Sequence, residues 1–225
     1  MRGILTIAAG GAVLASALAL PPACLAQKSK DTIRAISEQP ISLVDAVYDP
    51  QPATTLMTRV VFDSLVEYDV VNREFKPALA KSWKQIDETT LEFSLRDDVK
   101  FHDGSKFDAD DVVYTIAYLT DPKNTFRFKD SRYGWIESVE KIDAHTVRIK
   151  SKTVFAPALS RLGHSTQIYP KGAHAKAPTE FGKNPIGTGP FKVTQVSSDK
   201  GVVLGRNDDY KLAAPWRRGA NVTRI

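Results

Sequence analysis

The chain has 225 residues, of which 42% are hydrophobic and 25% are charged, the composition of an ordinary globular protein. Its formal net charge is +5, but acidic and basic residues are interleaved without a basic stripe, so we do not expect nucleic-acid binding. The single cysteine, Cys24, excludes an intramolecular disulfide framework.

The first 26 residues predict a secretory signal peptide. Arg2 supplies a short positive region, residues 4–20 form an uncharged run of small and apolar residues, and Cys24-Leu25-Ala26 offers small residues to a signal peptidase. A transmembrane anchor is the alternative, but the run falls short of the ~20 apolar residues that a span needs. We therefore expect cleavage after Ala26 and a periplasmic or cell-surface mature chain.

Lipidation of Cys24 is a second alternative for the same region. It would leave the protein anchored to a membrane, but Pro21 and Pro22 fit a lipobox poorly. If cleavage follows Ala26, the mature chain has no cysteine and no thiol chemistry. Its stability must then come from its hydrophobic core, and about 200 residues can bury enough surface for that.

The segment before residue 66 combines a strand, a polar turn and a helix. Residues 32–36 predict a short strand, and the polar turn Ser37-Glu38-Gln39-Pro40 follows it. Residues 54–65 predict a helix, because apolar residues recur there on one helical face.

Two stretches of similar form predict β-hairpins with turns led by aspartate. They are Ile86–Phe93 and Ile142–Ile149, and each reads as strand, turn and strand. Their spacing is irregular and no third copy exists, so we do not expect a repeat architecture.

The stretch from Thr90 to Tyr118 predicts a strand, a turn and a capped helix in succession. Apolar and polar residues alternate through Leu95, as in a half-buried strand. Asp108 is a suitable N-cap, because its carboxylate can accept hydrogen bonds from the free amides of the first turn. Phe107 and Val112 are spaced as a hydrophobic staple, and Asp121-Pro122 ends the helix.

The second half of the chain predicts shorter elements separated by glycine and proline. Residues 184–190 contain several such residues and must form a loop. The other expected elements are a short helix over 155–162, a strand over 166–170, a hairpin of strands 191–196 and 201–204, and a turn over 207–210.

Four blocks of sequence resemble one known family, in that family's order. The blocks are PALAKSW (77–83), LRDDVKFHDGSKFDADDVVYTI (95–116), PIGTGPFKV (185–193) and RNDDYKLAAPW (206–216). Together they are similar to the extracellular solute-binding proteins of family 5, the peptide/nickel-type binding subunits of ABC importers.

This resemblance implies an α/β fold of the type II periplasmic-binding-protein kind, with two lobes that close on a ligand by a hinge. On this basis residues 27–51 are the first segment of lobe one, 52–165 an inserted α+β domain, and 166–225 an incomplete return segment of lobe one. Residues 222–225 look like the middle of a strand, so we expect a truncated chain whose second lobe is missing.

The resemblance also implies a function. The protein would be the substrate-binding component of an ABC importer, capturing peptides or related small solutes outside the inner membrane and delivering them to the membrane permease subunits. Nickel complexes, opines and sugars are further ligands known in the family. We expect a monomer without a cofactor or a bound metal.

Two polar segments are the candidate substrate-binding residues. Ser37, Glu38 and Gln39 end a strand where a cleft would lie, and Glu38 could pair with a ligand amine; the alternative is an exposed loop carboxylate. Gly187, Thr188 and Gly189 form a loop whose backbone a ligand can approach closely. The alternative for that loop is a tight turn of purely structural use.

No pattern of residues predicts catalysis. The four histidines do not form a zinc-protease motif, and the loop Gly187-Thr188-Gly189 lacks the Lys-Ser/Thr ending of a P-loop. His102 and Asp103 could form a metal or acid/base pair, but we favour turn residues that bond to the local backbone. We therefore expect no catalytic residue and no enzyme.

A second function from another class remains open. The chain could be a truncated fragment that binds no solute, or a secreted interaction domain that uses the α+β unit alone. In that case Asp97, Asp98 and the face over residues 108–111 would contact a protein partner.

Overall fold

The computed structural model describes residues 33, 37–197, 201–212 and 225. Five α-helices are described: α1 (Pro52–Val61), α2 (Ala109–Thr120), α3 (Lys129–Tyr133), α4 (Ala158–His164) and α5 (Lys171–His174). Eight strands are described: β1 (Val66–Asp69), β2 (Glu74–Pro77), β3 (Ala80–Gln85), β4 (Thr90–Leu95), β5 (Ile136–Asp143), β6 (Thr146–Ser151), β7 (Phe191–Ser197) and β8 (Gly201–Arg206). A 3₁₀ helix covers Phe181–Lys183.

A four-stranded antiparallel sheet of order β3-β4-β6-β5 forms the centre of the fold. Each of the two aspartate-led stretches forms a hairpin, as predicted, and the hairpins lie side by side because β4 pairs with β6. Phe93 lies opposite Val147 in that pairing, and both side chains are fully buried. Two smaller antiparallel pairs, β1-β2 and β7-β8, complete the described sheets.

The alternating pattern of β4 faces the core as predicted. Leu91, Phe93 and Leu95 are all buried, whereas Ser94 between them is exposed. Helix α2 covers the same core with its apolar face, on which Val112 and Ile116 are fully buried.

The start of α2 has the predicted cap. The Asp108 carboxylate accepts a hydrogen bond from the Asp110 amide at 2.8 Å, and the Asp108 amide donates to the Asp111 carboxylate at 3.1 Å. This reciprocal pair is a capping box, which satisfies amides that have no partner inside the helix. Phe107 and Val112 are both buried beside it, as expected for a hydrophobic staple.

Asp111 also joins α2 to a distant segment. Its carboxylate accepts from the Lys171 amide at 2.8 Å, at the start of α5. Burial raises the pKa of Asp111 to about 6, and the two backbone amides that it accepts from oppose this rise. The first turn of α2 therefore fixes the position of α5 as well as its own cap.

Two predicted elements differ from the structure. Helix α1 ends at Val61 instead of Leu65, because the next residues are extended and the Leu65 carbonyl accepts from the Ala78 and Ala80 amides. The prediction of a strand over 166–170 is wrong. This segment lies outside the described sheets, and the Ile168 amide donates to the Asp63 carbonyl at 3.1 Å.

Several sequence predictions lie outside the described residues. They are the signal peptide, Cys24, most of the strand over 32–36, the turn over 198–200 and the chain end over 222–224. Within residues 37–197 and 201–212, no helix has the length and apolar character that crossing a bilayer requires.

The cap of α2 gives a first prediction. Replacing Asp108 by alanine removes the side-chain acceptor from the first turn, so we expect the free energy of unfolding to fall by about 1–2 kcal/mol. Denaturant unfolding of the variant and the parent protein measures this change.

The matched control is Asp110→Ala. Asp110 is the next carboxylate in the same turn, but its side chain makes only an exposed ion pair with Lys141 at 2.7 Å. An ion pair between two exposed side chains contributes little to stability, because solvent screens it. Equal losses for the two variants would mean that the cap has no special role.

Candidate functional site

The first predicted segment, Ser37 to Gln39, is exposed on the surface. Its one described contact is local: the Gln39 amide donates to the Ser37 hydroxyl at 3.4 Å. The Glu38 side chain is therefore accessible to a solute. Its role as a ligand contact stays a prediction.

The second predicted segment, Gly187-Thr188-Gly189, is buried against the end of α1. The Thr188 hydroxyl donates to the Asp63 carboxylate at 2.8 Å, and the Gly189 amide donates to the Val61 carbonyl at 2.9 Å. Only 2% of Thr188 is exposed. These contacts give the loop a structural use, and its contact with a ligand stays a prediction.

The two glycines allow the loop to lie directly on the backbone of α1. A Cβ atom on Gly187 would lie 2.0 Å from the Val61 carbonyl oxygen, and one on Gly189 would lie 2.5 Å from the Val60 carbonyl oxygen. No side chain fits at such distances. Close approach of two backbone segments is therefore sufficient reason for both glycines.

His102 holds this loop from its other side. Its amide donates to the Gly187 carbonyl at 2.8 Å, its Nδ1 accepts from the Gly187 amide at 3.2 Å, and its Nε2 donates to the Gly189 carbonyl at 3.0 Å. This pattern requires the neutral ring with its proton on Nε2. Burial lowers the pKa of His102, which favours the same neutral form.

The prediction of local backbone bonding for His102 is wrong, because its partners lie 85 and 87 residues away in the chain. The prediction holds for Asp103, whose carboxylate accepts from the Ser105 amide and hydroxyl. Among the described residues, no group of three or more His, Cys, Asp or Glu side chains could hold a metal ion.

Two further polar residues complete the contacts of the loop. Asn207 donates from its side chain to the Gly189 carbonyl at 3.0 Å. Asp63, 1% exposed, accepts from Thr188 and from the Tyr210 hydroxyl at 3.4 Å. We call Asp63, His102 and Asn207 the loop clamp. Sequence reasoning missed Asp63 and Asn207; the one available signal was a carboxylate inside the apolar run of residues 60–66.

A buried cluster of tyrosines around His174 holds the segment 166–174 against α2. The His174 ring is fully buried, stacks on Tyr169 with centroids 4.2 Å apart, and its Nδ1 shares a hydrogen bond with the Tyr114 hydroxyl at 2.7 Å. Tyr118 contacts the same ring edge-on. Desolvation lowers the pKa of His174 to about 4.

Asp45 belongs to the same buried region. It accepts from the Tyr169 hydroxyl at 2.9 Å and from the Val47 amide at 2.8 Å. Its second oxygen has no partner, and burial raises the pKa of the carboxyl to about 6. Asp45 and His174 therefore have pKa values displaced in opposite directions by the same cause, loss of solvent.

The acidic residues considered for a protein partner are engaged within the chain. Asp97 pairs with Lys81 at 3.0 Å, Asp98 pairs with Arg96, and Asp110 pairs with Lys141. Asp108 and Asp111 form the capping box described above.

A cavity of about 330 Å³ lies between the end of α1, strand β1 and the end of α4. Its lining is part polar and part apolar and includes Arg59, Phe62, Tyr68, His164 and Gln167. None of the residues proposed from the sequence lines it.

The described fold is that of part of a type II periplasmic binding protein. It matches NikZ from Campylobacter jejuni in complex with Ni(L-His) with a TM-score of 0.71 and 29% identity, over 86% of this chain and 37% of that chain. It also matches the oligopeptide-binding protein AppA from Bacillus subtilis in complex with a nonapeptide, with a TM-score of 0.73 and 28% identity, over 84% of this chain and 38% of that one.

A model of the bacterial extracellular solute-binding proteins, family 5 (its middle part), matches residues 74–225, and the chain belongs to this family.

Similar proteins with curated names agree with this membership. The chain is 30% identical over 173 residues to heme-binding protein A of Haemophilus influenzae, covering 67% of this chain and 32% of that protein. It is 31% identical over 183 residues to oligopeptide-binding protein AppA of Bacillus subtilis, covering 78% of this chain and 33% of that protein. The chain thus spans about a third of the length of these relatives.

The packing of the loop on α1 gives a second prediction. In Gly187→Ala the new Cβ would overlap the Val61 carbonyl, and neither backbone segment can move without breaking the loop clamp. We expect the free energy of unfolding to fall by about 3 kcal/mol or more, at the upper end of the usual cost of overpacking. Denaturant unfolding measures it.

Gly172→Ala is the matched control for this change. A Cβ at Gly172, inside α5, meets nothing within 4 Å. Alanine should therefore leave stability unchanged or raise it by up to about 1 kcal/mol. A Gly187→Ala protein as stable as Gly172→Ala would contradict the close approach of the loop to α1.

His174 gives a third prediction, on pH dependence. The unfolded chain binds a proton at His174 near pH 6.5, whereas the folded chain does so only near pH 4. His174 therefore does not reduce the free energy of unfolding above pH 6.5. As the pH falls from 6.5 toward 4, the unfolded chain gains a proton that the folded chain does not, and the free energy of unfolding decreases. Relative to His174→Phe, the parent protein should lose on the order of 3 kcal/mol of unfolding free energy between pH 7 and pH 4.

The Asp45→Asn variant tests the opposite pH dependence, because the pKa of Asp45 is raised and not lowered. The folded Asp45 carboxyl keeps its proton to about pH 6, well above the unfolded value of 3.8. The parent protein should therefore lose stability relative to Asp45→Asn as the pH rises through that window. Unfolding free energies at pH 4, 5, 6 and 7 measure both effects; parallel pH profiles for all three proteins would refute them.

Proposed function

We propose that the protein is the substrate-binding component of an ABC importer. It captures peptides or related small solutes outside the inner membrane and delivers them to the permease subunits. The observation that carries this proposal is the family match over residues 74–225, on a fold shared with proteins whose structures contain a nonapeptide or Ni(L-His).

Peptides are the favoured ligand class because they recur among the similar proteins. Besides AppA, two di/tripeptide-binding proteins of Pseudomonas aeruginosa are 29% and 30% identical to this chain. The heme-binding relative shows that other solutes occur on a similar sequence. The buried groups of a peptide site would have to pair with backbone amides and charged termini, since unpaired polar groups oppose binding.

The described residues would contribute one wall of such a site. Glu38 lies on the exposed polar segment and could pair with the amino terminus of a peptide. The loop over residues 187–189 would act mainly by holding its own segment on the end of α1. We propose no catalytic residue, a periplasmic location and a monomer.

An interaction domain is the weaker function. It would use Asp97, Asp98 and the carboxylates of the first turn of α2, and each of these has a partner inside the chain. A protein partner would have to displace those contacts.

The fourth prediction tests solute binding on the protein as its native cell releases it. Intact mass and native mass spectrometry would report its length and any ligand that it retains. Thermal unfolding with dipeptides, tripeptides, a nonapeptide, nickel with histidine, and heme would then identify the solute class. A ligand at 100 times its Kd should stabilise the folded form by about 2.7 kcal/mol.

Stabilisation by one class of solute, with no effect of the others, supports the proposal and names the class. No retained ligand and no stabilisation by any member of the panel would refute it. Copurification of a stoichiometric protein partner in place of a solute would favour the interaction domain.

A further inference from the structure

One residue, His102, bonds the turn before α2 to the segment that enters β7. Its ring lies between the Gly187 amide, which donates to Nδ1 at 3.2 Å, and the Gly189 carbonyl, which accepts from Nε2 at 3.0 Å. These partners lie 85 and 87 positions away in the chain. The ring therefore connects two segments that are distant in sequence.

Both ring contacts depend on the charge state of the ring. A neutral ring with its proton on Nε2 has one donor and one acceptor, which are the groups that the Gly189 carbonyl and the Gly187 amide require. A protonated ring carries a hydrogen on each nitrogen, so its Nδ1 would face the Gly187 amide as one donor against another. Protonation therefore preserves the contact with Gly189 and breaks the contact with Gly187.

The two ends of the contact differ in what remains after protonation. Gly187 is buried against α1, where a Cβ on it would lie 2.0 Å from the Val61 carbonyl oxygen. A buried amide that loses its acceptor destabilises the arrangement that keeps it buried. The Gly189 carbonyl has a second donor in the Asn207 side chain at 3.0 Å. We therefore expect protonation to act at Gly187.

Three charged groups act on the ring from the elements around it. Lys192 on β7 opposes protonation, whereas Asp63 after α1 and Asp103 in the same turn favour it. Burial has the largest effect, and it lowers the pKa of His102 from the ordinary value of 6.5. The ring is only half-buried, so protons can reach it from solvent. The neutral form is thus present near neutral pH and is lost as the pH falls through the lowered pKa.

We infer that His102 is an acid-sensitive latch, in which the neutral ring holds the Gly187 amide and protonation of the ring releases it. Acid then loosens residues 187–189 from the turn before α2, while the contacts of the loop with the end of α1 remain. The latch acts without a solute, so this inference does not depend on the proposed function.

Amide hydrogen exchange of the full-length protein tests the inference, with NMR of the His102 ring recorded in parallel. Near neutral pH the ring nitrogens should show a proton on Nε2. The protection factor of the Gly187 amide, relative to that of the Gly189 amide, should fall on the order of tenfold from one pH unit above to one pH unit below the titration midpoint of the ring, because the protonated fraction rises by that factor. The Gly189 amide is the internal control, since it donates to the Val61 carbonyl.

Two variants separate titration from packing. In His102→Gln the side-chain carbonyl can accept from the Gly187 amide and the side-chain amide can donate to the Gly189 carbonyl, but the group does not titrate. The protection ratio should then no longer depend on pH. His164→Gln is the matched control, because His164 is exposed in α4 and its ring contacts the Ser160 carbonyl of the same helix. This variant should keep the full response of the parent protein.

Several results would overturn the latch. They are a His102 ring that titrates while the protection ratio stays constant, a neutral ring with its proton on Nδ1, a ring that stays neutral until acid unfolds the protein, and a His102→Gln protein that keeps the response of the parent. If His102→Gln does not fold, the parent protein and His164→Gln still decide the first three. None of these measurements uses a solute, so failure of the latch and failure of the proposed function are observed separately.

Discussion

The close approach of residues 187–189 to the end of α1 is the constraint on which the rest of the described structure depends. The loop lies on the backbone of Val60 and Val61 at a distance that only glycine permits. The same contact brings Thr188 to Asp63 and places His102 and Asn207 against the loop carbonyls. One short segment thereby joins α1, the turn before α2 and the β7-β8 hairpin.

The loop clamp explains why polar residues tolerate burial in this region. Asp63 accepts from the Thr188 hydroxyl, and the neutral His102 ring offers one donor and one acceptor, each of which has a partner in the loop. Asp45 and His174 are only partly satisfied, and desolvation displaces their pKa values, as it also does for His102. Both regions connect segments that are distant in sequence.

The sequence by itself determined the local elements and the family. The alternation in β4, the cap at Asp108 and the two hairpins depend on contacts between neighbours in the chain, and the structure confirms them. Four motifs in order were enough to identify the solute-binding family. Only the tertiary structure decided the partners of His102 and the position of the segment 166–170. Those depend on contacts between residues tens of positions apart, and the spacing of side chains along one segment carries no information about which distant segment will lie against it.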